Sequence, residues 1–222
     1  MVHYQSHYSI KMKTIFHTLS NEYTIEKYFL GKDERLESIC RNNLNEIVSN
    51  LSKERTDFGF QNYNMSTWNL FQEYADDFEE LTTTLSKISK SIMKNYFDKE
   101  LNGNFFVSEL WGIVTEPDGL ATPHNHWPAL FTFVYYLSLP KNNPPLVFTD
   151  SNLEIQPKEG ELIFFPSWIK HEVPKNETDG ERVCYAGNIY YEEKMKEIGG
   201  RTEGLEPTRY DDWEMKGRCI DF

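Results

Sequence analysis

The sequence has few of the features that mark several large classes of protein. Only three cysteines occur in its 222 residues, and no two of them form a CxxC pair. We therefore expect neither a disulfide framework nor a cysteine-based zinc site, but reduced thiols in a cytoplasmic protein. No apolar run approaches the length of a membrane span, and the polar N-terminus lacks the apolar segment of a signal peptide, so we expect no membrane partner.

Basic residues are also scarce. Lysine and arginine together number 23, against 35 aspartates and glutamates, which gives a formal charge of −12. Proteins that bind duplex nucleic acid or an anionic membrane surface usually need a basic footprint, so we expect neither partner, whereas a basic substrate peptide would suit this charge. GxSxG, P-loop and GxGxxG motifs are absent, so the sequence does not support a hydrolase, a kinase or a dinucleotide-binding enzyme.

Aromatic residues are abundant, at 15% of the chain, and favour a β-rich core. Apolar residues spaced three and four apart predict helices over residues 34–51 and about 68–97. The second helix is expected to break at the Thr82–Thr84 run, because β-branched residues are weak helix formers. Beyond Gly103, aromatic and β-branched runs between turn residues predict strands over residues 105–114, 131–139, 146–149, 153–156, 161–165, 171–173 and 182–191.

This order of segments predicts a mainly β protein with N-terminal helices, in a single domain over residues 1–222. Closely spaced short strands are typical of an antiparallel sandwich or barrel. The predicted parts are an N-terminal arm and helical support over about 1–100, a β core over about 104–191 and a charged C-terminal tail over 192–222. We expect the first dozen residues to form a loose arm, and the tail to begin with a helical turn at the surface.

The main chemical signal is the pair His124 and His126, which a single residue separates. In an extended strand, residues i and i+2 point to the same face, so both imidazoles would reach one metal ion. A third ligand must come from elsewhere, and His171 is the best candidate because it follows an apolar strand and a turn. We therefore predict a catalytic metal centre with His124, His126 and His171 as ligands, which leaves positions open for substrate and dioxygen.

A second signal lies in the strand that begins at Arg182. Alternation places this arginine on one face of the strand with small or polar residues, namely Cys184, Ala186 and Asn188. Such a face would suit the wall of a cavity. An arginine in that wall could hold a carboxylate in a bidentate contact, because its guanidinium matches the spacing of the two oxygens.

Two further residues are candidates for binding a cosubstrate. Counting by twos from His126 favours Tyr136 for the cavity face and leaves its neighbour Tyr135 for the opposite face. Asn188, later in the arginine strand, either lines the pocket or bonds the backbone. We therefore group Arg182, Tyr136 and Asn188 as the predicted cofactor-binding residues.

The order of these segments resembles a family of 2-oxoglutarate- and iron(II)-dependent oxygenases that are distant relatives of the prolyl hydroxylases. The similarity rests on the strings PHNHWPALFTFVYYLSLP, PKEGELIFFPSWIKHEV and ERVCYAGN, and it covers about residues 105–191. It implies a double-stranded β-helix (a jelly-roll, cupin-like core) with Fe(II) between its two sheets. It also implies that 2-oxoglutarate chelates the iron and forms a salt bridge with Arg182 through its distal carboxylate.

The resemblance implies a dioxygenase that uses dioxygen and 2-oxoglutarate to hydroxylate a small molecule or a peptidyl side chain. One departure is His126, because the wider superfamily usually has an aspartate or glutamate there. A three-His site carries one more positive charge, which the 2-oxoglutarate dianion would offset. Two alternatives stay open: a cupin-type three-His oxygenase that uses no 2-oxoglutarate, and a non-catalytic jelly-roll binding module whose histidines are structural.

Overall fold

The computed structural model describes residues 9–18, 21–51, 60–66, 68–97, 102–193, 213–215 and 218–220. Its helices are α1 (Glu34–Leu51), α2 (Leu70–Glu73) and α3 (Ala75–Phe97). Its strands are β1 (Ser9–Thr18), β2 (Asn21–Phe29), β3 (Phe60–Met65), β4 (Gly103–His124), β5 (Phe131–Ser138), β6 (Leu146–Phe148), β7 (Leu153–Ile155), β8 (Glu161–Pro166), β9 (His171–Val173), β10 (Arg182–Glu193), β11 (Trp213–Met215) and β12 (Arg218–Ile220). None of the helices in these ranges is long and apolar enough to cross a membrane.

The central strands form a curled antiparallel sheet with a jelly-roll core, as predicted. One wall has the order β1-β2-β8-β5-β10-β4, and the sheet continues through β4-β9-β6-β7, with β3 beside β4. Strand β4 belongs to both walls, because it pairs with β10 as far as Thr115 and with β9 from Ala121 onward. Between these points Asp118 has a φ of 65°, in the left-handed region. The bend carries the C-terminal end of β4 into the second wall.

Alternation along the central strands separates two cores, as the sequence predicts for β10. Val183 and Tyr185 belong to the core that faces the helices, whereas Cys184 and Ala186 belong to the core inside the jelly roll. Strands β5 and β8 alternate in the same way: their helix-facing residues include Phe133, Tyr135, Leu162 and Phe164, and their interior residues include Val134, Tyr136, Ile163 and Phe165. The interior faces of β5 and β10 also supply residues to the wall of a cavity inside the jelly roll.

Helix α1 has the predicted limits, and its first turn is capped by the residue before it. The Leu36 main-chain N–H donates to Asp33 Oδ1 at 2.9 Å, which satisfies one of the unpaired donors at the start of a helix. The Tyr185 hydroxyl donates to the Leu36 carbonyl at 2.7 Å. Cys40 of the same helix is fully buried. The helix is thereby fixed on the outer face of β10.

The second helical stretch breaks at a different place from the predicted one. The structure separates α2 from α3 at Tyr74, and α3 continues through the Thr82–Thr84 run. The Thr82 hydroxyl donates to the Phe78 carbonyl at 3.0 Å, within the helix, and Thr84 is buried. A threonine whose hydroxyl bonds the preceding turn need not interrupt a helix.

The two ends of the chain contain strands that were not predicted. Residues 1–8 of the expected loose arm lie outside the described residues, but β1 begins at Ser9 and pairs with β2, which pairs with β8. In the expected tail, β10 continues to Glu193, and β11 pairs with β12 where we expected no strand. The predicted helical turn at the start of the tail lies largely in 194–212, outside the described residues.

Candidate metal centre

Pairing between β4 and β9 brings two of the predicted ligands together. His124, the last residue of β4, lies opposite His171, the first residue of β9. His126 follows the end of β4, and its main-chain N–H donates to the Ser167 carbonyl at 2.8 Å. The imidazole centroids are 4.5 Å apart for His124 and His171, 5.1 Å for His124 and His126, and 5.2 Å for His126 and His171. Each ring offers one ligand nitrogen, and these three atoms lie within 4.8 Å of one another.

Backbone carbonyls orient two of the three rings. The Nδ1 atom of His124 lies 2.7 Å from the Thr122 carbonyl oxygen, and Nδ1 of His171 lies 3.1 Å from the Ile169 carbonyl oxygen. A carbonyl oxygen only accepts, so each Nδ1 carries the proton and each Nε2 keeps a lone pair for a metal. Metal-binding histidines usually have such a hydrogen bond on their second nitrogen.

Burial keeps the three imidazoles neutral. It lowers the pKa of His124, and it lowers the pKa of His171 well below its ordinary value, with a further contribution from the other two histidines. Burial and the proximity of His124 together lower the pKa of His126 to about 3. Metals bind the neutral form of histidine, so the group is in its binding form at neutral pH.

The donor set fits a transition-metal ion. Imidazole nitrogen is a suitable ligand for iron, zinc, nickel and copper, and bonds of about 2.1 Å would draw the three rings slightly closer together. Among the described residues, no carboxylate joins the three histidines. The group is therefore a three-His cluster, as the sequence predicts, and lacks the acid of the commoner two-His-one-carboxylate arrangement.

The three histidines line a cavity of about 500 Å³ inside the jelly roll, which is an ordinary volume for a small-molecule site. Arg182 and its strand neighbours Cys184 and Ala186 line the same cavity, on the face that the sequence predicts. The remaining wall is mainly apolar and includes Trp68, Trp111, Ile113, Val134, Leu146 and Val173. The structure thus brings the predicted metal ligands and the predicted carboxylate-binding arginine to one cavity.

Arg182 is 2% exposed and contacts Tyr136, the tyrosine favoured by counting along β5. Its Nη2 donates to the Tyr136 hydroxyl at 3.2 Å, and its guanidinium carbon lies 5.0 Å from the centre of the Tyr136 ring. Burial raises the pKa of Tyr136 above its ordinary value, so the phenol stays protonated beside the guanidinium. Tyr136 therefore helps to position Arg182, although it is not among the described residues that line the cavity.

Asn188 lies behind the cavity wall and is hydrogen-bonded to Thr132, which lines it. It accepts a hydrogen bond from Thr132 Oγ1 at 3.0 Å, and its Nδ2 donates to Glu109 Oε2 at 2.6 Å. Thr132 lines the cavity, whereas Asn188 is not among the described residues that do. Sequence reasoning missed Trp68 and Thr132 as lining residues. No local pattern marks Trp68, although alternation along β5 places Thr132 on the face of Tyr136.

Two family models match parts of the chain. Residues 147–188 match a model described as "Putative 2OG-Fe(II) oxygenase", and residues 188–222 match a protein of unknown function (DUF1674). A UPF0369 protein of Rickettsia felis is 60% identical over 38 residues, which are 16% of this chain and 47% of that protein. A UPF0369 protein of Rickettsia prowazekii matches with the same values. The chain spans about half the length of these curated relatives.

Solved structures of oxygenases are similar to the chain at low identity. A prolyl-4-hydroxylase of Pseudomonas putida is 13% identical, with 75% of this chain and 92% of that chain covered and a TM-score of 0.49. The viral collagen prolyl hydroxylase of Paramecium Bursaria Chlorella virus-1 is 15% identical, with 74% and 94% covered and a TM-score of 0.43. The family model confirms the resemblance to 2-oxoglutarate- and iron(II)-dependent oxygenases over residues 147–188, the part that contains His171 and Arg182.

Proposed function

We propose that the protein is an Fe(II)- and 2-oxoglutarate-dependent dioxygenase that hydroxylates a small molecule or a side chain of another protein. One observation carries this proposal: three imidazoles converge in the cavity whose wall also contains the buried Arg182. A guanidinium can bind a carboxylate partner in a bidentate contact, because its donors match the spacing of the two oxygens. The distal carboxylate of 2-oxoglutarate is such a partner, while its keto acid is a bidentate group for a metal.

Each residue of the site has a definite part in this proposal. His124 and His171 would hold the iron through Nε2, and His126 would supply the third nitrogen. Arg182 would bind the distal carboxylate in a bidentate contact, and Tyr136 would orient the guanidinium. When bound, iron and 2-oxoglutarate together supply the activation of dioxygen. The mainly apolar wall would reduce the water around the reacting group once substrate is bound, which would limit side reactions.

An anaerobic titration tests the proposal. Metal-free protein is titrated with iron(II) and then with 2-oxoglutarate, and the visible absorption is followed. We expect an iron-to-keto-acid charge-transfer band in the wild type, and no such band in His171→Ala. Tight iron binding without the band would contradict the use of 2-oxoglutarate and favour the three-His oxygenase that works without it. Failure to bind any metal would favour the binding module.

The location and domain limits belong to the same proposal. The free thiols of Cys40 and Cys184 are buried, which is consistent with the proposed cytoplasmic location. Residues of α1 and α3 share one core with β4, β5 and β10, which supports a single domain with a helical part before residue 100. The C-terminal family match begins at Asn188, within β10, close to the proposed start of the tail at residue 192.

A further inference from the structure

Two tryptophan rings, those of Trp68 and Trp111, lie between the protein surface and His126, one of the three histidines of the cavity. Trp68 is 46% exposed and lines the cavity, and its ring lies 5.2 Å from that of Trp111 at an interplanar angle of 37°. Trp111 is buried, and its ring lies 5.6 Å from that of His126. The partly exposed ring of Trp68 therefore lies directly outside the buried ring of Trp111. Here it forms an outer aromatic wall for whatever reaches the metal centre.

Hydrogen bonds to the main chain of β4 hold the backbone of Trp68 and of Ser66 in this place. The Leu110 N–H donates to the Trp68 carbonyl at 2.8 Å. Two residues before it, the Ser66 N–H donates to the Gly112 carbonyl at 2.9 Å, and the Gly112 N–H donates to Ser66 Oγ at 2.8 Å. Both sides of Trp68 are therefore tied to β4, the strand that carries Trp111. A ring held in advance loses little freedom when a ligand stacks on it, which favours binding.

The charges around the cavity disfavour a cationic ligand. Among the described lining residues there is no carboxylate, and Arg182 is the side chain with a permanent charge. Under the proposed function, the 2-oxoglutarate dianion occupies the iron and Arg182. A further charged ligand of either sign would lose hydration against the mainly apolar wall; no described lining residue offers a carboxylate to a cation, and an anion would compete with 2-oxoglutarate for Arg182. The acidic residues that give the chain its net negative charge, and that favoured a basic peptide as substrate, are not among the described lining residues.

From these contacts and charges we infer that Trp68 selects the primary substrate, and that the group presented to the metal centre is apolar and uncharged. Met65, Trp111, Leu146 and Val173 would surround this group, and the indole of Trp68 would stack on it at the entrance. The inference rests on the proposed function for the chemistry that follows binding. It concerns the choice of substrate, which the metal ligands and Arg182 do not determine.

Three small probes of the same shape test the inference: benzyl alcohol, benzylammonium and benzoate. Their binding is measured by saturation-transfer NMR on protein loaded with zinc in place of iron and saturated with 2-oxoglutarate, because this complex is diamagnetic and does not react with dioxygen. We expect benzyl alcohol to bind about ten-fold more tightly than either charged probe. Trp68→Ala should weaken benzyl alcohol binding about ten-fold and leave 2-oxoglutarate affinity unchanged.

Trp168→Ala is the matched control, because Trp168 is 47% exposed and is not among the described lining residues. It should leave the binding of benzyl alcohol unchanged. Equal affinity for benzyl alcohol and a charged probe would overturn the inference, and so would an equal effect of the two tryptophan substitutions. If no metal–2-oxoglutarate complex forms, the proposed function fails. Benzyl alcohol and benzylammonium are then compared on metal-free protein, where a Trp68-dependent preference for benzyl alcohol still supports the inference and its absence overturns it.

Discussion

The two faces of the central strands differ in what their residues contact. Tyr135 and Tyr136 are neighbours in β5, but Tyr135 donates to the Gly31 carbonyl at 2.7 Å on the helix side, whereas Tyr136 contacts Arg182 inside the jelly roll. The helix side is filled with apolar side chains, and the interior side leaves a cavity of about 500 Å³. Residues for stability and residues for chemistry therefore alternate along one strand, so single substitutions should affect one property and spare the other.

The largest effect on stability is expected on the helix side. Phe133 is fully buried there, and one of its ring atoms would lie 2.6 Å from a Cβ atom placed on Gly187. Phe133→Ala should lower the free energy of unfolding by about 3–5 kcal/mol, measured by urea denaturation, because it leaves a cavity in a packed core. Iron affinity of the folded protein should stay the same. A loss below about 1 kcal/mol would show that this face does not carry the stability.

His171→Ala should weaken iron binding and leave the stability of the metal-free protein nearly unchanged, which is the opposite of the effect of Phe133→Ala. Removing even an outer partner of a metal ligand lowers affinity 10- to 100-fold, so loss of the ligand itself should weaken iron binding by at least about 100-fold. The free energy of unfolding of the metal-free protein should change by only about 1 kcal/mol, the usual contribution of the lost hydrogen bond to Ile169. Iron titration and urea denaturation of the same preparation give both values. Unchanged iron affinity would remove His171 from the ligand set.

Arg182→Lys should act on the cosubstrate alone. A lysine keeps the charge but not the bidentate geometry, and a hydrogen bond to a charged group contributes about 1.5–3 kcal/mol. The KM for 2-oxoglutarate should therefore rise about 10- to 100-fold, with little change in iron affinity. Arg41→Lys is the control, because Arg41 pairs with Glu37 and Glu181 on the outer surface of the molecule. An unchanged KM in Arg182→Lys would contradict the role of Arg182 in holding the distal carboxylate, whereas wild-type turnover that does not depend on 2-oxoglutarate would favour an oxygenase that does not use it.

The smallest effects are expected at the two adjacent tyrosines, Tyr135 and Tyr136, which point to opposite faces of β5. Tyr135→Phe removes the hydrogen bond to Gly31 and should lower the free energy of unfolding by about 1 kcal/mol, with no effect on the KM for 2-oxoglutarate. Tyr136→Phe removes the contact that positions Arg182 and should raise that KM about five-fold. Urea denaturation and steady-state kinetics of both variants provide the comparison. If both variants changed the same property, the division between the two faces would not hold.

Local patterns in the sequence predict most of the core and the residues of the site. The alternation in β10 and the limits of α1 depend on neighbouring residues, and β9 has its predicted limits at His171 and Val173. Strand β4 was predicted to end at Val114 but extends to His124, because its second half bends at Asp118 and pairs with β3 and β9. These contacts are distant in sequence, and turn residues in the bend give the local appearance of a loop. For the same reason no pattern could place Trp68 beside Trp111.

The position of β10 in the sequence has a consequence for synthesis. β10 lies between β5 and β4 in the sheet, yet it begins at Arg182, after all three histidines. A nascent chain therefore leaves the ribosome with a complete set of imidazole ligands before it has the strand that completes the cavity wall. The guanidinium proposed to hold the cosubstrate is the last of these components to be translated. Dioxygen chemistry of the proposed kind would therefore require a chain that has been translated through β10.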